Sequence, residues 1–133
     1  KKLTHFIIEN KMDNQVIFLN NISENDLAGL YKLARLSIYI SHFEGFGLPV
    51  IESMACGCPV ITSNVSCLPE TAGGAAILCT PNNFVGLGTQ IRTLIENENL
   101  RNDLIQKGNE RARLFHPECF VEKMISLYTG ILS

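Results

Sequence analysis

Two glutamates, Glu44 and Glu52, stand on either side of the run Gly45-Phe46-Gly47-Leu48-Pro49, and this pattern suits the holding of a phosphorylated ligand. Two glycines around one aromatic residue let the backbone take positive φ and come close to a bound group. Proline is favoured in a first helical turn, where the N–H it lacks has no acceptor to lose, so Leu48-Pro49 reads as a helix start. The N–H groups of Gly47 and Leu48 then lie at the positive end of a helix, a place suited to a diphosphate. Glu52 follows Leu48 by four residues, on the same face one turn on, where its carboxylate can accept from the paired hydroxyls of a ribose. Glu44 sits just ahead of the glycines, within reach of a sugar beyond the phosphates. A carboxylate beside phosphate is unfavourable unless it serves a particular hydroxyl, which makes Glu44 the more diagnostic of the two. Spacing alone leaves a plainer reading open. Gly-Phe-Gly also serves as an ordinary strand-to-helix turn, and an acid in a first helical turn also offsets the dipole.

Such a loop needs a strand before it and a helix behind it. Leu36-Ser37-Ile38-Tyr39-Ile40 predicts the strand; Ile51, Met54 and Ala55 belong to the helix, which Gly57 ends in the left-handed conformation. The same theme recurs along the chain. Val16-Ile17-Phe18-Leu19 predicts a strand broken by Asn20-Asn21, and Ser23 then caps a helix whose Leu27, Leu30, Tyr31 and Ala34 share a buried face. Pro59-Val60-Ile61-Thr62 and Ala76-Ile77-Leu78-Cys79 predict two more strands. Strands alternating with helices imply a mostly parallel, Rossmann-like sheet with helices on both faces, an α/β fold. After Pro81 the period is helical only, through Leu87, Ile91 and Leu94, then Leu100 and Leu104, then Val121, Met124 and Tyr128. The 133 residues thus divide into a strand-helix core over about 12–80 and a helical tail over about 83–133. The chain opens in a helix-like stretch, Leu3 to Asn10, and four strands are fewer than a doubly wound sheet usually has, so the sequence reads as a fragment of a domain.

Composition narrows the partners. Hydrophobic residues make up 46% and charged residues 18%, an ordinary globular balance, with apolar runs far short of the roughly 20 residues of a membrane helix. A net charge of -2 with no basic stripe argues against nucleic acid. No signal-peptide pattern opens the chain, so the expected setting is the cytoplasm. Five cysteines, an odd number, read as small buried thiols, and Cys56-Gly57-Cys58 has no second pair at zinc-ligand spacing. No metal is expected.

The stretch from Glu44 through Ile61, Glu-Gly-Phe-Gly-Leu-Pro-Val-Ile-Glu-Ser-Met-Ala-Cys-Gly-Cys-Pro-Val-Ile, resembles the signature of the retaining glycosyltransferases of the GT-B fold, with glutamates at its two marker positions. Ser63 to Glu70 with Gly73-Gly74-Ala75-Ala76 is similar to that family's next block, and Val16-Leu19 with Ser23-Glu24 and Leu30-Tyr31 to the preceding one. The resemblance weakens after about Pro81. It implies the C-terminal, donor-binding domain of a two-domain enzyme, a hexosyltransferase type that moves a sugar from a nucleoside diphosphate to an acceptor with retention and without a bound metal. Glu44 would then approach the transferred sugar as the catalytic residue of the loop. Gly45, Phe46, Gly47 and Leu48 would meet the diphosphate, Glu52 the ribose, and Ile22 with Ser23 the base. Asn20 stands where the family often has glycine, and Ile40 where it often has proline, departures that affect loop shape. Glu70 would support the edge of the site.

The resemblance further implies that the acceptor domain and the basic clamp on the diphosphate lie outside these residues. The isolated chain is then expected to be inactive, with any peripheral membrane attachment carried by the other domain. In the family's sheet order two strands separate Val16–Leu19 from Leu36–Ile40. Direct pairing of these two, or a partner chain over an exposed edge that invites self-association, is therefore expected. A nucleotide-sugar-binding module without transferase activity is the alternative. A dinucleotide-binding dehydrogenase is disfavoured, because no Gly-x-Gly-x-x-Gly follows a first strand.

Overall fold

Val60, Ile61, Thr62 and Ser63 are all buried, the mark of a strand with a helix layer on each side. In the computed structural model, which describes residues 2–132, they form the middle strand of a three-stranded parallel sheet. β1 is Ser37–Tyr39, β2 Val60–Ser63 and β3 Ile77–Cys79, in the order β1-β2-β3. Ile38 pairs with Ile61 and Ile61 with Ile77, so these three side chains share one face. That face packs Ile61 and Cys79 with Leu94 and Leu104; the other packs Val60 with Val50, Met54 and Leu68.

Seven helices accompany the sheet among the described residues: α1 (Lys2–Glu9), α2 (Glu24–Leu33), α3 (Leu48–Ala55), α4 (Leu68–Ala72), α5 (Phe84–Glu96), α6 (Glu98–Arg113) and α7 (Pro117–Leu132). The three helices expected after Pro81 are present, and Asn83 and Asn97 cap the first two of them through their side chains. Ser23 caps α2 as its residue type predicts, accepting from the Asp26 N–H at 3.1 Å. Gly57, with φ 72, closes the turn after α3. Gly108 lets α6 lie against α3, since a Cβ there would stand 3.2 Å from Met54 Cγ. Leu68, Pro69 and Glu70 form the first turn of α4. Among the described residues no helix is long and apolar enough to cross a membrane.

Three sequence expectations fail here. Val16–Leu19 is not a strand, and it does not pair with β1. Strand hydrogen bonds need a paired neighbour, and this segment pairs with no strand of the sheet, with Ile17 81% exposed. The face of α2 bearing Leu27, Leu30, Tyr31 and Ala34 is at most half-buried. It packs against α3. The third concerns the thiols: all five are free, but only Cys58 and Cys79 are buried, while Cys56, Cys67 and Cys119 are half-exposed.

Candidate functional site

The loop between β1 and α3 leaves the carboxyl end of the sheet, and a set of hydroxyls ties it down. At the start, the Ser41 N–H donates to Oγ of buried Ser63 at 2.8 Å, which fastens the loop to the end of β2. At the middle, the Ser66 hydroxyl donates to the Glu44 carbonyl at 2.8 Å and accepts from the Glu44 N–H at 3.3 Å. Ser66 reaches this position from a left-handed backbone, φ 59. The Cys67 thiol adds a contact to the same carbonyl at 3.1 Å. At the end, the buried Thr71 hydroxyl donates to the Phe46 carbonyl. The backbone of Glu44 to Phe46 is thereby held by the residues that follow β2.

Gly47 is the N-cap of α3, with φ 88 and ψ 49, and it is buried. Only glycine fits there. A Cβ would stand 2.5 Å from Leu68 Cδ2, and the left-handed conformation disfavours side chains in any case. With Gly47 as cap and no side chain accepting there, the N–H groups of Gly47 and Leu48 have no intrahelical acceptor, Pro49 carries no N–H, and the Val50 N–H donates to the Gly47 carbonyl at 3.0 Å. That end of the helix attracts an anion.

Glu44 is half-buried, and its Oε1 accepts from the Tyr39 phenol at 2.7 Å. This hydrogen bond is the main cause that raises the Tyr39 pKa above the ordinary value of 10.0, with burial and the Glu44 charge adding to it. Glu52, exposed on α3, lines a hollow of about 370 Å³ between α2 and α3. Its other walls come from Glu24, Leu27, Ala28, Tyr31, Ala55 and Cys56. Burial raises the Tyr31 pKa first, and the charge of Glu52, which lines the same hollow, second. The lining carries two carboxylates, one phenol, one thiol and three aliphatic side chains, chemistry that suits a flat, hydroxyl-bearing group.

The structure thus joins Gly45, Phe46, Gly47, Leu48 and Glu52 along one loop and helix start, with Glu44 anchored to β1. It gives Glu44 and Glu52 different surroundings. Ile22 is 39% exposed at the entrance to α2, and the Ser23 hydroxyl is engaged with Asp26 as both donor and acceptor. Neither lines the hollow, although their neighbour Glu24 does. His42 is exposed and Glu70 lies in the first turn of α4. Among the described residues no three His, Cys, Asp or Glu side chains converge as metal ligands. Sequence reasoning did not single out Tyr39, Ser66 or Thr71. They touch the loop from up to 25 residues away, a relation that no local pattern carries.

A parallel sheet with helices on both faces, and a glycine-capped helix start at the carboxyl end of its strands, define a Rossmann-like α/β domain. The chain belongs to the family described as glycosyl transferases group 1, whose profile matches residues 1–111. It is 35% identical over 111 residues to the O-antigen chain mannosyltransferase B of Escherichia coli, covering 84% of this chain and 29% of that protein. The C-terminal domain of a glycosyl transferase group 1 family protein from Francisella tularensis superposes with a TM-score of 0.74 at 28% identity, over 84% of this chain and 59% of that one. HepE of Anabaena, solved with UDP and glucose, shares the fold with a TM-score of 0.84 at 23% identity, over 97% of this chain and 35% of that one. Family and fold class are those expected from the sequence. The chain spans less than a third of the mannosyltransferase's length.

Proposed function

We propose that this chain is the donor-binding half of an enzyme that transfers a glycosyl group from a nucleoside-diphosphate sugar to an acceptor, with retention at the anomeric carbon. The observation that carries the reading is the continuity of α3. Its glycine-capped N-terminus can receive a diphosphate, and one turn on Glu52 opens into the hollow shared with α2. In this reading the N–H groups of Gly47 and Leu48 stabilise the phosphates through the helix dipole. Glu52 accepts from the ribose hydroxyls, and Leu27 and Tyr31 flank the base end, with Ile22 and Ser23 beside them. Glu44, oriented by Tyr39, reaches the transferred sugar. The charge that develops on the leaving diphosphate is met by backbone donors and basic side chains, without a metal. A second domain holds the acceptor, and the setting is the cytoplasm.

Calorimetric titration with a panel of nucleoside diphosphates and their sugars tests the donor site. Saturable binding of at least one, weakened by Glu52→Gln, is expected; a panel with no binder sinks the reading. Retention is tested separately, by the anomeric configuration of the product made by the complete natural polypeptide. An inverted product rules it out. Residues 1–133 alone are expected to transfer no sugar, and measurable transfer by them overturns the assignment to a donor half.

A further inference from the structure

Arg111, near the end of α6, lies against the carboxyl end of α4, 40 residues earlier in the chain. Its Nε donates to the Thr71 carbonyl at 3.0 Å and its Nη2 to the Glu70 carbonyl at 2.6 Å. These carbonyls belong to the last turn of a helix, where acceptors have no intrahelical donor and a cation is favoured. The fit is close. A Cβ on Gly73, the left-handed cap of α4, would stand 2.5 Å from the Arg111 Nε, so the glycine leaves room for the guanidinium.

The same guanidinium lies over the Phe115 ring, 4.9 Å from its centroid. The Phe115 ring in turn meets Phe46 edge-on, with centroids 5.3 Å apart and planes at 72°. Phe46 is therefore held twice. Its ring rests against Phe115, and its carbonyl accepts from Thr71, the residue whose own carbonyl takes the Arg111 Nε. Both holds run through one side chain on α6. Phe46 is the residue immediately before the Gly47 cap, so its backbone orientation sets where the first N–H groups of α3 point.

We propose that Arg111 and Phe115 are positioning residues for the donor loop: they clamp Phe46 from both its ring and its carbonyl, and so aim the N–H groups of Gly47 and Leu48 before any ligand arrives. Arginine suits this role because one planar fork serves two carbonyls while its face stacks on a ring, which lysine cannot do. Without the clamp the loop samples other orientations, and binding must restore the productive one at a cost in affinity. The proposal rests on the donor-site reading for its function, but the clamp itself can be measured without a ligand.

The test uses the complete natural polypeptide and three variants: Arg111→Met, Phe115→Leu and Phe115→Tyr. Amide hydrogen exchange without ligand reads the clamp. In Arg111→Met and Phe115→Leu, exchange at Glu44 and Val50, whose N–H groups donate to Ser66 Oγ and to the Gly47 carbonyl on either side of Phe46, should quicken about tenfold while the β2 amides keep the wild-type rate; Phe115→Tyr, which keeps a ring, should restore the slow rate. Unchanged exchange at the loop, or equal acceleration in loop and β2, overturns the clamp. UDP titration reads its purpose: affinity should fall about five- to tenfold in the first two variants and recover in Phe115→Tyr. A loop that loosens while UDP affinity stays the same overturns the positioning role. Failure of the wild-type protein to bind UDP or any other nucleoside diphosphate, with the exchange pattern as expected, leaves the clamp standing and refutes the donor reading and the role built on it.

Discussion

The Tyr39 phenol donates to Glu44 Oε1 across 2.7 Å, so the last residue of β1 holds the carboxylate that opens the glycine turn. Tyr39→Phe removes this bond and little else. Hydrogen bonds to charged acceptors contribute about 1.5–3 kcal/mol when sheltered and less toward solvent. Transfer by the complete polypeptide should fall about tenfold with little change in thermal midpoint, since the ring stays packed. Steady-state kinetics beside thermal unfolding checks this, and an equal loss in both would reduce Tyr39 to a packing role.

The same bond predicts a direction in pH. The Tyr39 pKa is raised above 10.0 in the folded protein, chiefly by donation to Glu44. A raised pKa means that the folded state holds the proton more tightly. The associated stability is complete below the ordinary tyrosine value and is lost as pH climbs through the higher folded value. The difference in phenolate absorbance between wild type and Tyr39→Phe should therefore have its midpoint above 10.0. A midpoint at or below that value contradicts the Tyr39–Glu44 contact.

Gly45 and Gly47 should answer alanine very differently. A Cβ at Gly47 meets Leu68 at 2.5 Å on a left-handed backbone, whereas one at Gly45 meets nothing within 4 Å. Gly47→Ala should cost about 1–3 kcal/mol through the clash and the backbone strain together, and displace the helix start. Gly45→Ala should lie within about 0.5 kcal/mol of wild type. Urea unfolding of the two variants gives the comparison, and equal midpoints count against the cap geometry.

The two glutamates should separate binding from turnover. Glu52 is exposed and lines the hollow. Glu52→Gln should weaken UDP binding about tenfold or more, as loss of charged hydrogen bonds does, with stability unchanged. Glu44→Gln keeps an oxygen for Tyr39 but removes the charge. It should lower turnover about a hundredfold, the scale for one electrostatic group at a reacting centre, with UDP affinity nearly intact. The reverse pattern reverses their assigned roles.

Burial raises the pKa of Cys58, one turn of chain from the half-exposed Cys56. A thiol kept protonated and covered is a poor nucleophile. Iodoacetamide at pH 8 should label Cys56 well before Cys58, as peptide mass mapping would report. Faster labelling of Cys58 contradicts the packing between α3 and β2.

Much of the fold was legible because its signals are local. Ser23, Gly57 and Pro59 mark an N-cap, a helix end and a strand start through their own backbone preferences, and each does so here. Val16–Leu19 carries an equally strong strand signal and forms none. β-propensity describes a fit to a pleated neighbour, and no strand pairs with this segment.

For the loop from Glu44 to Glu52, the order of residues by itself determined the helix start, the glycine before it and the acid one turn on. All of these depend on neighbours within a few positions. What the tertiary structure decided is how the loop is held and how the acids are used. Tyr39 came to Glu44, Ser66 to its backbone, Thr71 to Phe46 and Tyr31 to the side of Glu52. Most of these contacts join residues more than 20 positions apart, and the parallel register of β1, β2 and β3 brings the ends of the strands together. Register is a property of the assembled sheet, so a reading of local spacing could find the acids but not their surroundings.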